Sequence, residues 1–242
     1  MRFRQWRTAV VLIALGAGVG SIEAQKNGAR AARELDEASV IRMVDSTVAA
    51  RVENVLGFTG IEHYAVYRGD DEKHPATEMT VRETYKKGVG KTFEILAESG
   101  SDMILRFGLH PLLDNDKTLN QPGNVEHSWF TSANYAMKLK PGGVQKINGH
   151  DCYALEIAPR QKAPHMIEGT LWVDAQNGSV TRVAGVASKS PSPLAGTTKM
   201  MRDYAQINGF SMATHARAES NSLFVGRTVV TIDYRDYHLQ IR

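Results

Sequence analysis

YKKGVGKTFEIL, residues 85–96, contains Gly90-Lys91-Thr92, the closing trio of a phosphate-binding loop. Its reading decides between an α/β nucleotide-binding fold and an antiparallel sheet. A phosphate loop needs another glycine five positions before Gly90, so that successive backbone N–H groups wrap the anion. That position is Tyr85. The loop must also sit between a buried strand and a long helix whose N-terminus faces the phosphates. Here MTVRETYK (79–86) alternates, with Met79, Val81 and Tyr85 against Thr80, Arg82 and Lys86, while TFEILAESG (92–100) is stopped by Gly100. The pattern is strand, turn, strand, and Gly88 and Gly90 supply the positive backbone angles of a short hairpin loop. A second candidate, VVTID (229–233), resembles an apolar strand ending in a magnesium-binding aspartate. Thr231 makes it an alternating, half-buried strand instead. No nucleotide and no cofactor are expected.

Upstream of the hairpin, Val40, Ile41, Val44, Val48, Val52 and Val55 recur at three- and four-residue steps, with Arg42, Asp45, Arg51 and Glu53 opposite. One long amphipathic helix is expected over 35–56, ended by Gly57. IEHYAVYRG, EMTVRETYKK, KTFEILAES and SDMILRFG then read as four strands. HPLLDNDKTLNQPGN interrupts them, and VEHSWFTSANYAMKL admits a second helix before KPGG stops it. In the second half, HDCYALEIAP places Tyr153, Leu155 and Ile157 on one face. GTLWVDAQNGSVTRVAGVAS reads as a hairpin with a type I′ turn at Asn177-Gly178, and Asn208-Gly209 reads as another hairpin turn. Val230, Ile232 and Tyr234 share a face in the last strand. Nine or so antiparallel strands with one or two helices give an α+β domain on a large curved sheet.

The two ends and the composition bound the rest. MRFRQWR carries three arginines, TAVVLIALGAGVG is a short apolar stretch and SIEAQ offers a cleavage site after Ala24, so residues 1–24 are expected to be a signal peptide. The apolar stretch falls short of the roughly 20 residues of a membrane span. A periplasmic protein that does not span the membrane is expected. Residues 25–34 read as a flexible segment, and 35–242 as one domain. The leader removes Arg2, Arg4, Arg7 and Glu23 from 29 basic and 26 acidic side chains, leaving the rest nearly neutral. Nothing in that balance points to nucleic acid. Cys152 is the only cysteine, so the core must stabilise the domain without a disulfide.

No catalytic constellation stands out. The eight histidines never form HxH or HExxH, so no metal site is expected. His150 lies two residues from Cys152, a spacing that could place both on one strand face, but no third orienting group is implied. ASKSPSPLAG (187–196) reads as an exposed loop rather than a nucleophile elbow. RGDDEKHP (68–75) reads as a solvated acidic turn without the oxygen spacing of a calcium loop. Trp172, between Leu171 and Val173, gives an apolar run that implies burial on both sheet faces or a lined cavity.

INGHDCYALEIAPR, GTLWVDAQNGSVTRVAG, RDYAQINGFSMATHARAES and TVVTIDYRDY together resemble the lipoprotein-sorting proteins of the LolA/LolB type and their half-barrel superfamily. The resemblance covers roughly residues 140–240, with FTSANYAMKL and the long helix fitting more loosely. It implies an unclosed antiparallel half β-barrel whose concave face is lidded by helices and holds the acyl chains of lipoproteins or lipids in the periplasm. The expected function is that of a carrier for an acylated ligand in outer-membrane lipoprotein sorting, without catalysis. Its expected apolar groove is lined by Tyr153, Leu155, Ile157, Leu171, Val173, Phe210, Met212, Val230 and Ile232, with Trp172 on the opposite face. The alternatives are an envelope sensor or structural protein that binds a protein partner, and an enzyme using Cys152 or scattered histidines.

Overall fold

A computed structural model describes residues 35–189, 197–222 and 226–242. The expected signal peptide, the segment 25–34 and most of the serine-proline loop lie outside the described residues. Helix α1 spans Glu37–Asn54; the Asp36 side chain caps it by accepting from Ser39 N–H at 2.7 Å. Val40 and Val44 form its fully buried stripe. The helix ends at Asn54, not at Gly57, and passes directly into β1 (Val55–Arg68). Gly57 is a strand residue paired with Lys86 and Gln240, and an added Cβ there would stand 2.8 Å from the Tyr85 carbonyl oxygen on the neighbouring strand.

β2 (Thr77–Lys86) and β3 (Gly90–Gly100) form the expected hairpin, with Gly88 and Gly90 at φ 76° and 109°. The remaining strands are β4 (Tyr135–Leu139), β5 (Gln145–Ile147), β6 (His150–Pro159), β7 (Ile167–Asp174), β8 (Val180–Ala187), β9 (Lys199–Ile207), β10 (Phe210–Ser222) and β11 (Gly226–Ile241). All join one antiparallel sheet in the order β3-β2-β1-β11-β10-β9-β8-β7-β6-β4, with β5 on the end of β6. β3 and β4 are its two free edges, so the sheet is an unclosed half-barrel.

Three further local expectations differ from the structure. SDMILRFG is helical: α2 (Asp102–Ile104), a π-helical turn (Leu105–Leu109) and α3 (His110–Leu119) follow one another. Its apolar spacing fits both periods, and the four-residue step of Leu105, Leu109 and Leu113 prevails because all three bury against Tyr64, Met79 and Val81. The stretch 125–139 holds a 3₁₀ turn (Val125–Ser128) and β4 in place of a helix. There the Asn134 amide donates to the Glu126 and Trp129 carbonyls, and Tyr135–Leu139 pairs with β6. Finally, Asn177-Gly178 is not a two-residue type I′ turn, since only Gly178 has positive φ. The Asp174 carboxylate instead accepts from Gln176 and Asn177 N–H, making a wider loop. Asn208-Gly209 does have two positive angles, 50° and 84°, as does Asn148-Gly149 at 49° and 85°.

Two apolar clusters fill the concave side. α1 packs Val40 and Val44 onto β6–β8 through Tyr153, Leu155, Ile157, Leu171, Val173 and Val183. The π turn and α3 pack onto β1–β2 through Tyr64, Val66, Met79 and Val81, with Val230 and Ile232 beside them. Between the clusters the sheet changes character. One row of paired residues reads Leu155, Leu171, Val183, Arg202, Ala216, Ile232, Tyr64, Met79 from β6 to β2. Arg202 is the single charge in that row.

Candidate functional site

The gap between the clusters is a cavity of about 300 Å³. Its aromatic and apolar wall includes Phe58, Trp129, Phe130, Phe210 and Met212. Its polar wall includes Arg51, Glu83, Lys91, Asp116, Arg202, Tyr204, Tyr234 and Tyr237. A second cavity of about 270 Å³ adjoins it beside the β2–β3 turn and shares Arg51, Phe58, Asn120, Val125 and Trp129. Both helical lids contribute, α1 with Thr47, Val48 and Arg51, and α3 with Asp116 and Leu119. The Trp129–Phe130 wall is pinned to α1, where the Asp45 carboxylate accepts from Ser132 N–H at 2.8 Å and Ser132 Oγ at 2.6 Å.

Lys91 is the cavity's buried cation. Its Nζ donates to Glu62 at 2.8 Å, Glu83 at 2.7 Å and Asp116 at 2.9 Å. Three ammonium donors thus meet three carboxylates, so the cluster ties β1, β2, β3 and α3 together. Burial pulls the Lys91 ammonium down, but Asp116, Glu62 and Glu83 outweigh it and hold its pKa well above the ordinary value. Burial also pushes the Glu83 carboxyl up to about 7, against the lowering pull of Lys91 and with the nearby Glu62 raising it further. Glu83 Oε1 has no hydrogen-bond partner. The phenol of Tyr64 donates to Glu62 and completes the cluster.

The two arginines are placed differently. Arg51 sits deep in the protein, where burial lowers its pKa, and its Nε has no partner. One terminal nitrogen lies 3.7 Å from Met212 Sδ, a weak acceptor. Arg202 is open to the cavity space while surrounded by protein at longer range, and it bonds to Tyr204. Among the described residues neither has a carboxylate within ion-pair distance. His165 is also on the wall, and burial lowers its pKa.

Of the nine residues expected to line a groove, Phe210 and Met212 do line the cavity. Tyr153, Leu155, Ile157, Leu171 and Val173 lie on the same face but pack solidly beneath α1. Val230 and Ile232 pack against the other cluster. Trp172 is on the opposite face, paired across strands with Arg182 and donating to Gln145 Oε1 at 3.2 Å. None of the charged wall was in that set. A signal for Glu83 existed, since it stands between Val81 and Tyr85 on the inward face of an alternating strand. Tyr237 carried no such signal. It joins Tyr234 on the cavity wall only because Asp236 adopts φ 57° and one extra residue is inserted opposite β1.

Cys152 is fully buried, burial pushes its thiol pKa up, and it contacts Thr181 Oγ1 at 3.5 Å. His150 turns to Asp174 at 2.9 Å, so the two do not form a nucleophile and base. Among the described residues, no group of three or more His, Cys, Asp or Glu is placed to hold a metal ion.

Comparison with protein-family models finds no match, and comparison with curated proteins finds none either. Solved structures do match. A domain assigned to outer membrane lipoprotein sorting from Vibrio parahaemolyticus is 15% identical, with a TM-score of 0.48 over 85% of this chain and 94% of that one. A DUF1329 family protein from Desulfovibrio piger is 14% identical, with a TM-score of 0.44 over 84% and 92%. A LolA superfamily protein from Nitrosomonas europaea is 14% identical, with a TM-score of 0.43 over 85% and 94%. The ligand is read from the cavity's own residues.

Proposed function

We propose that the protein is a periplasmic carrier that holds the acyl chain of a lipid or lipoprotein, within the pathway of outer-membrane lipoprotein sorting. The observation that carries this reading is the lidded cavity on the concave face, with Phe58, Trp129, Phe130, Phe210 and Met212 on its wall. Each methylene buried there contributes roughly 0.8 kcal/mol, so a chain is retained without bond chemistry. The periplasmic location rests on the leader-like first 24 residues. Among the described residues, no helix is long and apolar enough to cross a membrane. The reading assigns no catalytic role, and the buried, unactivated Cys152 supports that.

Native mass spectrometry of protein purified gently from a periplasm, followed by lipid extraction, tests the proposal. A stoichiometric adduct of acyl-chain mass is expected. A bare mass that persists after incubation with phospholipids and an acylated peptide sinks it. Met103 and Phe107, one turn apart and both exposed, together with exposed Ile95 and Leu96 on edge strand β3, favour a second reading as an envelope interaction protein. A crosslinked partner recovered equally well after delipidation would support that reading over carriage.

A further inference from the structure

We infer that the cavity selects a single-chain amphiphile with an anionic headgroup, received by Arg51 and Arg202; this rests on the acyl-ligand reading above. The three cations on the wall are in opposite states. Lys91 has its three donors matched to Glu62, Glu83 and Asp116 and has none left for a ligand. The guanidiniums of Arg51 and Arg202 have no carboxylate partner among the described residues, and Arg51 Nε has no acceptor at all. The Arg51 Nε–H, buried without an acceptor, is costly there, whereas Arg202 bonds to Tyr204 and opens onto the cavity; the planar donor fork of each guanidinium suits a carboxylate or phosphate. Arg202 also interrupts an otherwise uncharged inward row and stays open to the cavity, which puts its donors within reach of a ligand there. The chain's seat adjoins these donors, since Met212 touches Arg51 and lines the cavity with Phe210. Even with the adjoining cavity of about 270 Å³, the space of about 300 Å³ stays within the range for one drug-sized ligand, which favours one chain over several.

The test is titration of the purified protein, followed by calorimetry, with dodecanoate, dodecyl phosphate, dodecanol, inorganic phosphate and a triacylated cysteinyl peptide. It is repeated on Arg51→Met and Arg202→Met. The two anionic amphiphiles are expected to bind at least tenfold tighter than dodecanol. Each substitution is expected to weaken them at least tenfold and leave dodecanol unchanged. A thermal midpoint that holds or rises shows that the variants fold, as expected when an unpaired charge is removed. Tighter binding of dodecanoate identifies a fatty-acid source; tighter binding of dodecyl phosphate identifies a lysophospholipid-like one. Equal binding of alcohol and acid, or variants without effect, overturns the inference and leaves acyl carriage standing. Binding of the triacylated peptide alone does the same. If no chain-bearing probe binds, or inorganic phosphate binds as tightly as its dodecyl ester, acyl carriage itself falls and the inference with it.

Discussion

Lys91 illustrates what a side chain's neighbours do to its meaning. In the sequence it sits in a phosphate-loop trio, whereas in the fold three carboxylates surround it. Its removal leaves Glu62 and Glu83 buried without a counter-ion, so Lys91→Met is expected to cost about 3–5 kcal/mol, measured by urea unfolding. Glu83, with its carboxyl raised to about 7, sets a pH dependence. The unfolded chain releases this proton at the ordinary, lower carboxylate range, so between the two values the folded state holds more protons. Its contribution is fully present near pH 4 and is lost as pH rises through about 7. The thermal midpoint is therefore expected to fall from about pH 5 to pH 8, and Glu83→Gln to flatten that profile. An unchanged slope in the variant would show that the cluster titrates elsewhere.

At the scale of elements, polar pins hold the lids over an apolar base. Asp45 on α1 holds Ser132, and with it the Trp129–Phe130 wall, through two hydrogen bonds. Asp45→Ala is expected to cost about 1–3 kcal/mol and to shift tryptophan emission as that wall loosens; thermal unfolding monitored by fluorescence reads both. Between β7 and β8, Gly169 faces Gly185, and a Cβ on Gly169 would stand 2.2 Å from the Ala184 carbonyl oxygen. Gly169→Ala is expected to cost about 2 kcal/mol or more, because backbone cannot move aside as a side chain can. The second-half strands were legible because their inward residues alternate cleanly and their turns carry Asn-Gly pairs. The α2–α3 segment was not. Met103, Leu105 and Phe107 alternate like a strand, while Leu105, Leu109 and Leu113 repeat like a helix. Packing against Tyr64 and Met79 decides between them.

Across the whole molecule, the open sheet carries one apolar cluster under α1 and another under the π turn and α3, and the cavity lies between them, with Val48, Phe130, Val180 and Tyr204 of the first on its wall. A ligand seated there touches both lids. Amide exchange in α1 and α3 is accordingly expected to slow together on loading, with a gain of about 2.7 kcal/mol at a hundredfold excess over Kd. Slowing in one lid only would place the ligand outside the gap.

The sequence by itself determined the antiparallel α+β architecture, the long first helix, the inward faces of most strands and the rejection of a nucleotide loop. Each is a local matter of period, turn chemistry or a missing glycine. Only the tertiary structure decided which inward residues become core and which become wall. Tyr153, Leu155 and Ile157 share a face with Arg202, yet they are covered by α1 and it is not. The charged floor was likewise out of reach, because Glu62, Glu83, Lys91 and Asp116 come from four separate elements. Their sense as a group depends on the curvature that brings carboxylates to within 3 Å of one ammonium.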